Sequence, residues 1–153
     1  VLYFGLMLTD SGVKVLEYNA RFGDPETQVV LPKLKNDFVD VMEATIDGTL
    51  DKIEFEWDER PMVCVIIASG GYPEHYEKGK EITFNDLDED VYVYHAGTCF
   101  KDGKIVTNGG RVLGVVASGE TMKDAQKKAY ENVEKIYFEK MHYRKDIGNK
   151  YYD

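Results

Sequence analysis

Glu17, Asn19 and Arg21 stand at every second position of Val15-Leu16-Glu17-Tyr18-Asn19-Ala20-Arg21. An extended segment presents all three on one face. A carboxylate, an amide oxygen and a guanidinium make a poor core. They suit a divalent cation beside phosphates: Mg²⁺ takes hard oxygen ligands and shares them with substrate phosphates, and a guanidinium forks two anionic oxygens. A solvated strand face would carry the same residues, with Arg21 paired to Asp24 or Glu26, and spacing alone leaves both readings open. Phe22-Gly23 breaks the strand. Asp24-Pro25-Glu26 then reads as a helix start, with Asp24 as N-cap, Pro25 at the first helical position and Glu26 near the positive end of the helix.

Two glycine pairs form a second candidate. Gly70-Gly71 and Gly109-Gly110 each follow an apolar run, and backbone amides can approach a ligand at such places. Arg111 adds a cation beside the second pair. Neither pair belongs to a GxxxxGK[ST] or GxGxxG pattern, and tight turns would use the same glycines. His75, His95 and His142 are isolated, with no Ser/His/Asp or Cys/His order around them. His95 reads as a hydrogen-bonded structural residue.

These groups need elements to hold them. Residues 1–8 and 13–20 read as an antiparallel hairpin joined by Thr9-Asp10-Ser11-Gly12. On its second strand Leu16, Tyr18 and Ala20 share one face, and Val15, Glu17, Asn19 and Arg21 the other. Pro32 ends the helix that follows. Asn36-Asp37 restarts it with Phe38, Val41, Met42, Thr45 and Ile46 on one side, and Gly48 stops it. Residues 49–60 read as a connection or a weak strand. Met62 to Ala68 is an unbroken apolar run and reads as a buried strand. Short strands follow near 81–84, 91–95, 97–100, 104–107 and 111–118. A last helix over 121–140 carries Met122, Ala125, Ala129, Val133 and Ile136 as its stripe.

Composition sets outer bounds. At 153 residues with 43% hydrophobic content, the chain can bury a core. A net charge of -9 argues against nucleic acid or an anionic membrane as partner, and no apolar run approaches a membrane span. Cys64 and Cys99 lack metal-ligand spacing and read as free thiols in a reducing compartment such as the cytoplasm. Val1 begins inside a strand-like run, so the sequence reads as a piece of a longer protein.

The stretch Leu16-Glu17-Tyr18-Asn19-Ala20-Arg21-Phe22-Gly23-Asp24-Pro25-Glu26-Thr27-Gln28 resembles the metal-binding end of the ATP-grasp domain in the phosphoribosylamine–glycine ligase family. Ala68-Ser69-Gly70-Gly71-Tyr72-Pro73, Tyr76-Glu77-Lys78-Gly79, His95-Ala96-Gly97-Thr98, Asn108-Gly109-Gly110-Arg111-Val112-Leu113-Gly114-Val115 and Tyr143-Arg144-Lys145-Asp146-Ile147-Gly148 resemble its C-terminal domain, in order. The resemblance implies an α+β chain. Residues 1–58 would be the closing hairpin and helices of an ATP-grasp subdomain. Residues 59–153 would be a small β-rich, barrel-like domain with a covering helix. It implies ATP and Mg²⁺ or Mn²⁺ as cofactors, glycine and 5-phosphoribosylamine as substrates, and upstream portions of the same chain as partners. By position, Glu17 and Asn19 match metal ligands and Arg21 the group that stabilises the transferring phosphoryl. Asp24, Glu26, Gly109, Gly110 and Arg111 match substrate-facing positions. Residues 1–8 hold no carboxylate, so Glu17 and Asn19 would share the metal with water and phosphate oxygens. The resemblance places most ATP contacts in portions before this chain, so the 153 residues alone are expected to be inactive. Another ATP-grasp ligase of the purine pathway, or a non-catalytic binding module, are the alternatives.

Overall fold

A computed structural model describes residues 1–149. The chain opens with the expected hairpin, β1 (Tyr3–Thr9) against β2 (Gly12–Asn19), closed where Thr9 faces Gly12. Gly5 faces Glu17 but Leu6 faces Val15, so Leu16 is an extra residue on β2. Such a bulge changes the phase of side-chain alternation. Val15 therefore leaves the face expected for it, while Glu17 and Asn19, both beyond the bulge, stay together.

The helix after the strand starts later than its sequence suggests. Asp24-Pro25-Glu26 form a turn with a cis Asp24–Pro25 peptide, and α1 covers only Thr27–Val30. Asp24 does not cap it. The Gly23 carbonyl accepts from the Thr27 amide (2.9 Å) and hydroxyl (2.5 Å), and the Asp24 carboxylate is taken by Gln28 Nε2 at 2.8 Å. Pro32 sits in a 3-10 turn at Leu31–Lys33, which ends α1 as expected. Helix α2 (Phe38–Asp47) has Asp37 accepting from the Val39 amide at its start and Gly48 in the left-handed region (φ 67°) at its end. No residue of α2 is buried, and its apolar side stands in solvent.

The second part of the chain is built on β3 (Met62–Ser69). It continues through β4 (Thr83–Phe84), β5 (Tyr92–His95), β6 (Thr98–Lys101), β7 (Lys104–Thr107) and β8 (Arg111–Ser118). Helix α3 (Met122–Val133), β9 (Ile136–Tyr137) and β10 (Met141–Tyr143) complete it. The main sheet is antiparallel and open, in the order β10-β3-β8-β5, flanked by the pairs β4–β9 and β6–β7. No barrel closes among the described residues; two-residue strands such as β4 and β9 are too short to carry a sheet around. Helix α3 covers one face, where Val63, Val65 and Ile67 of β3 and Val112, Leu113 and Val115 of β8 meet Ala125, Ala129 and Val133. Helix α1 touches the other face, at β3 and β8.

The expected helix over 121–140 is cut at Val133. Its start is secure: Thr121 and Asp124 form a reciprocal capping box. Its end is set from outside, because buried Asn132 accepts from the Asp88 amide and donates to the Asp88 carboxylate, which also takes Lys135. That cluster ties the last turn to the 85–90 loop, and Ile136 then leaves as strand β9 beside Phe84.

Candidate active site

The polar face of the hairpin is shaped by small neighbours. Cross-strand partners share a face, so Gly5 and Tyr3 lie on the side of Glu17 and Asn19. A Cβ at Gly5 would stand 2.9 Å from Glu17 Cγ and 3.7 Å from its Oε1, so the glycine leaves the room that the carboxylate chain fills. Tyr3 donates its hydroxyl to Glu26 Oε1 at 2.7 Å. That bond, reinforced by desolvation and the nearby charges of Glu26 and Glu17, raises the Tyr3 phenol above its ordinary value. Gly23 is pressed against the Glu26 carboxylate and the Tyr3 ring, and a larger residue there would displace that carboxylate. Glu17, Asn19 and Glu26 thus belong to one face, with Tyr3 as the link. Glu26 makes its described bond to a tyrosine rather than to helix amides.

Arg21 lies beyond the end of β2 and is exposed; its Nη1 donates to the Phe22 carbonyl at 2.7 Å. The ion pair with Asp24 or Glu26 that a solvated face would use is not formed. Asp24 instead meets Arg111, 87 positions away. Arg111 Nη1 lies 3.2 Å from both the carboxylate Oδ2 and the main-chain oxygen of Asp24. Both side chains are about half exposed, so the pair is worth only about 0–1 kcal/mol. Its consequence is placement: it sets a cation of the second part of the chain against the turn that carries Glu26.

The two glycine loops are one structure. Ser69 donates its amide to the Gly110 carbonyl and its hydroxyl to the Gly109 carbonyl, each at 2.8 Å. Gly97 and Gly109 touch backbone to backbone: a Cβ on Gly97 would lie 2.6 Å from Gly109 Cα and from the Arg111 oxygen. The Tyr72 ring occupies the space above Gly110. These approaches explain the glycines by close packing, and they fix the strand end from which Arg111 projects. His95 pairs through Nδ1 with Thr98 Oγ1 at 3.0 Å and lies beside the Phe84 ring, in keeping with a structural role. Cys64 and Cys99 are free thiols. Burial pushes the Cys64 thiol up to about 12.

Glu17 and Asn19 offer a carboxylate and an amide oxygen, the hard donors that Mg²⁺ accepts alongside water and phosphate. The room left by Gly5 lets the Glu17 carboxylate lie on the same face as Asn19. Among the described residues no cluster of three His, Cys, Asp or Glu side chains forms an all-protein metal cage, so any cation here depends on oxygens from elsewhere. Tyr3, Tyr72 and Gln28 are parts of the site that sequence reasoning did not single out. Tertiary contacts distinguish the two tyrosines from others, and a local bond to Asp24 distinguishes Gln28.

Comparison with known proteins connects this geometry to a family. The family model described as phosphoribosylglycinamide synthetase, C domain, matches residues 62–150, and that of the synthetase's ATP-grasp (A) domain matches residues 1–27. The chain belongs to the phosphoribosylglycinamide synthetase family. It is 58% identical to phosphoribosylamine–glycine ligase of Caldanaerobacter subterraneus subsp. tengcongensis, over 99% of this chain and 36% of that relative. It is 50% identical to the ligase of Halalkalibacterium halodurans, over 98% of this chain and 35% of that relative. The crystal structure of phosphoribosylamine–glycine ligase from Thermotoga maritima superposes with a TM-score of 0.80 at 46% identity, covering 95% of this chain and 36% of that one. The chain therefore spans just over a third of the length of these relatives. Within the family match, Glu17, Asn19, Arg21, Asp24 and Glu26 fall in the ATP-grasp segment and Arg111 in the C domain, so the Asp24–Arg111 pair joins the two matched regions. No helix is long and apolar enough to cross a membrane among the described residues.

Proposed function

We propose that this chain forms one wall of the active site of an ATP-dependent ligase. The whole protein would join glycine to 5-phosphoribosylamine, giving glycinamide ribonucleotide, ADP and phosphate, in the cytoplasm. The observation that carries this reading is the single polar face of Glu17, Asn19 and Glu26, set against Arg111 within the family-matched segments. In the reaction the glycine carboxylate takes the γ-phosphoryl of ATP, and the amine of phosphoribosylamine then displaces phosphate from the acyl carbon. Glu17 and Asn19 would hold a Mg²⁺ or Mn²⁺ ion, which when bound offsets charge on the ATP phosphates. Arg21 is free to turn from the Phe22 carbonyl, a neutral acceptor, toward the phosphoryl oxygens, where its planar donors stabilise the charge that builds up. Asp24 and Glu26 orient the substrate amines. The backbone of Gly109 and Gly110 and the Arg111 guanidinium close the site from the other side. The natural division falls near residues 58 and 59, between the two matched regions; the last four residues of the second unit lie outside the described residues. ATP contacts and the remaining walls belong to upstream portions of the same chain.

The test is made in the full-length protein. Glu17→Gln and Asn19→Ala are expected to lower turnover by about tenfold or more and to raise the Mg²⁺ concentration needed for half-maximal rate, with unchanged circular dichroism. Wild-type activity in both variants removes these residues from the metal site.

A further inference from the structure

A cavity of about 370 Å³ lies between the turn at Pro25 and the sheet face that α3 leaves open. Cys64 and Ile66 of β3 floor it, Tyr72 stands at one side, and Arg111, His142 and Arg144 bring nitrogen-bearing side chains to it. None of the described residues lining it is acidic, in a chain with 28 Asp and Glu against 19 Lys and Arg. The thiol of Cys64 is kept neutral by its burial and adds no opposing charge.

Both arginines are tethered to an aspartate. Arg144 places Nε and Nη2 on the Asp146 carboxylate at 2.9 and 2.7 Å, and no described contact uses its Nη1. Arg111 places Nη1 on Asp24, and no described contact uses its Nε or Nη2. Neither aspartate lines the cavity. Asp146 takes two donors of Arg144 and sets its plane, Asp24 tethers Arg111 at Nη1 alone, and both guanidiniums keep other donors for a ligand. Two such guanidiniums suit an anion with several oxygens, and a tyrosine ring beside an apolar floor suits a small carbon ring.

We propose that this cavity seats a sugar phosphate, with Arg144 and Arg111 donating to the phosphate oxygens and the sugar lying against Tyr72. The assignment deepens the ligase reading, on which it rests for naming the ligand as the 5-phosphate end of phosphoribosylamine. It adds Arg144 to the binding residues.

The experiment uses the full-length protein and two readouts. In steady-state kinetics Arg144→Gln raises KM for phosphoribosylamine about tenfold or more, the scale of one charge-assisted hydrogen bond. KM for glycine and ATP stays within about twofold, as substrates bound elsewhere require. Arg144→Lys recovers part of the loss. Asp146→Asn keeps the cation and loosens only its plane, so it raises KM several-fold less than Arg144→Gln, whereas a purely structural role for the Arg144–Asp146 pair would make both variants alike. In calorimetric titration ribose 5-phosphate binds the wild type and loses affinity to the same extent in Arg144→Gln. An unchanged KM and unchanged ribose 5-phosphate binding in that variant, or equal losses in Asp146→Asn, overturn the assignment. Ribose 5-phosphate binding that depends on Arg144 in a protein without ligase activity keeps the cavity assignment and removes the ligase reading.

Discussion

Gly5 shows how a residue without chemistry governs one that has it. Because a Cβ there would meet Glu17 Cγ at 2.9 Å, Gly5→Ala displaces the carboxylate while leaving its charge in place. In the full-length protein this variant is expected to follow Glu17→Gln in raising the Mg²⁺ requirement, and to do so without loss of fold. The alternation of Glu17 and Asn19 was legible in the sequence because a strand has a period of two. The bulge at Leu16 was not, since nothing in an apolar run marks where one residue is squeezed out of register. Arg111 was legible as a cation beside glycines. Its partner Asp24 was read as a helix cap, the local use of an aspartate before proline. Sequence-local rules find a cap for Asp24 but not a guanidinium 87 positions away.

At the scale of elements, the strand end that carries Arg111 depends on the contact of Gly110 with Tyr72. Gly110→Ala drives a methyl into the Tyr72 ring. We expect it to destabilise the protein by about 1–3 kcal/mol, read as a lower melting temperature, and to weaken substrate binding more than a distant core change of equal cost. The loop bearing Tyr72 is tied down further along by charges. Glu77 bridges Lys80 (2.9 Å) and Lys140 (3.0 Å), and Lys80 also reaches Glu139 (2.8 Å). Hydrogen bonds from Lys80 and Lys140 depress the Glu77 carboxyl from 4.5 to about 2. A depressed carboxyl contributes its stability above the unfolded value and loses it as pH falls toward the folded one. The melting difference between wild type and Glu77→Gln should therefore be constant above pH 4.5 and shrink between pH 4.5 and 2; a difference that persists unchanged to pH 2 contradicts the bridge. Strands β3 and β8 were legible as apolar runs. The end of α3 was not, because the stripe of Ala125, Ala129 and Val133 continues in sequence through Ile136. The stop is imposed by Asn132 gripping Asp88 from a separate loop.

The molecule as a whole is unevenly finished. The second part has a closed core in which Val65, Ile67, Leu113 and Val115 are fully buried. The hairpin and α2, in contrast, expose large side chains, with Leu8 82% and Ile46 84% accessible. Apolar area on this scale is normally covered, and the relatives this chain matches are nearly three times as long, the matched part being 36% and 35% of their length. Family membership was legible because several motifs occur in order along the chain. The expectation that the site needs upstream walls came from that resemblance, not from any single residue. The measurement that tests the central claim most directly is ADP release by the full-length protein and by these 153 residues alone. Release is expected from the full-length protein only when glycine and phosphoribosylamine are both present, and none from the 153 residues. Release by the full-length protein that ignores either substrate, or substrate-dependent release by the 153 residues alone, contradicts it.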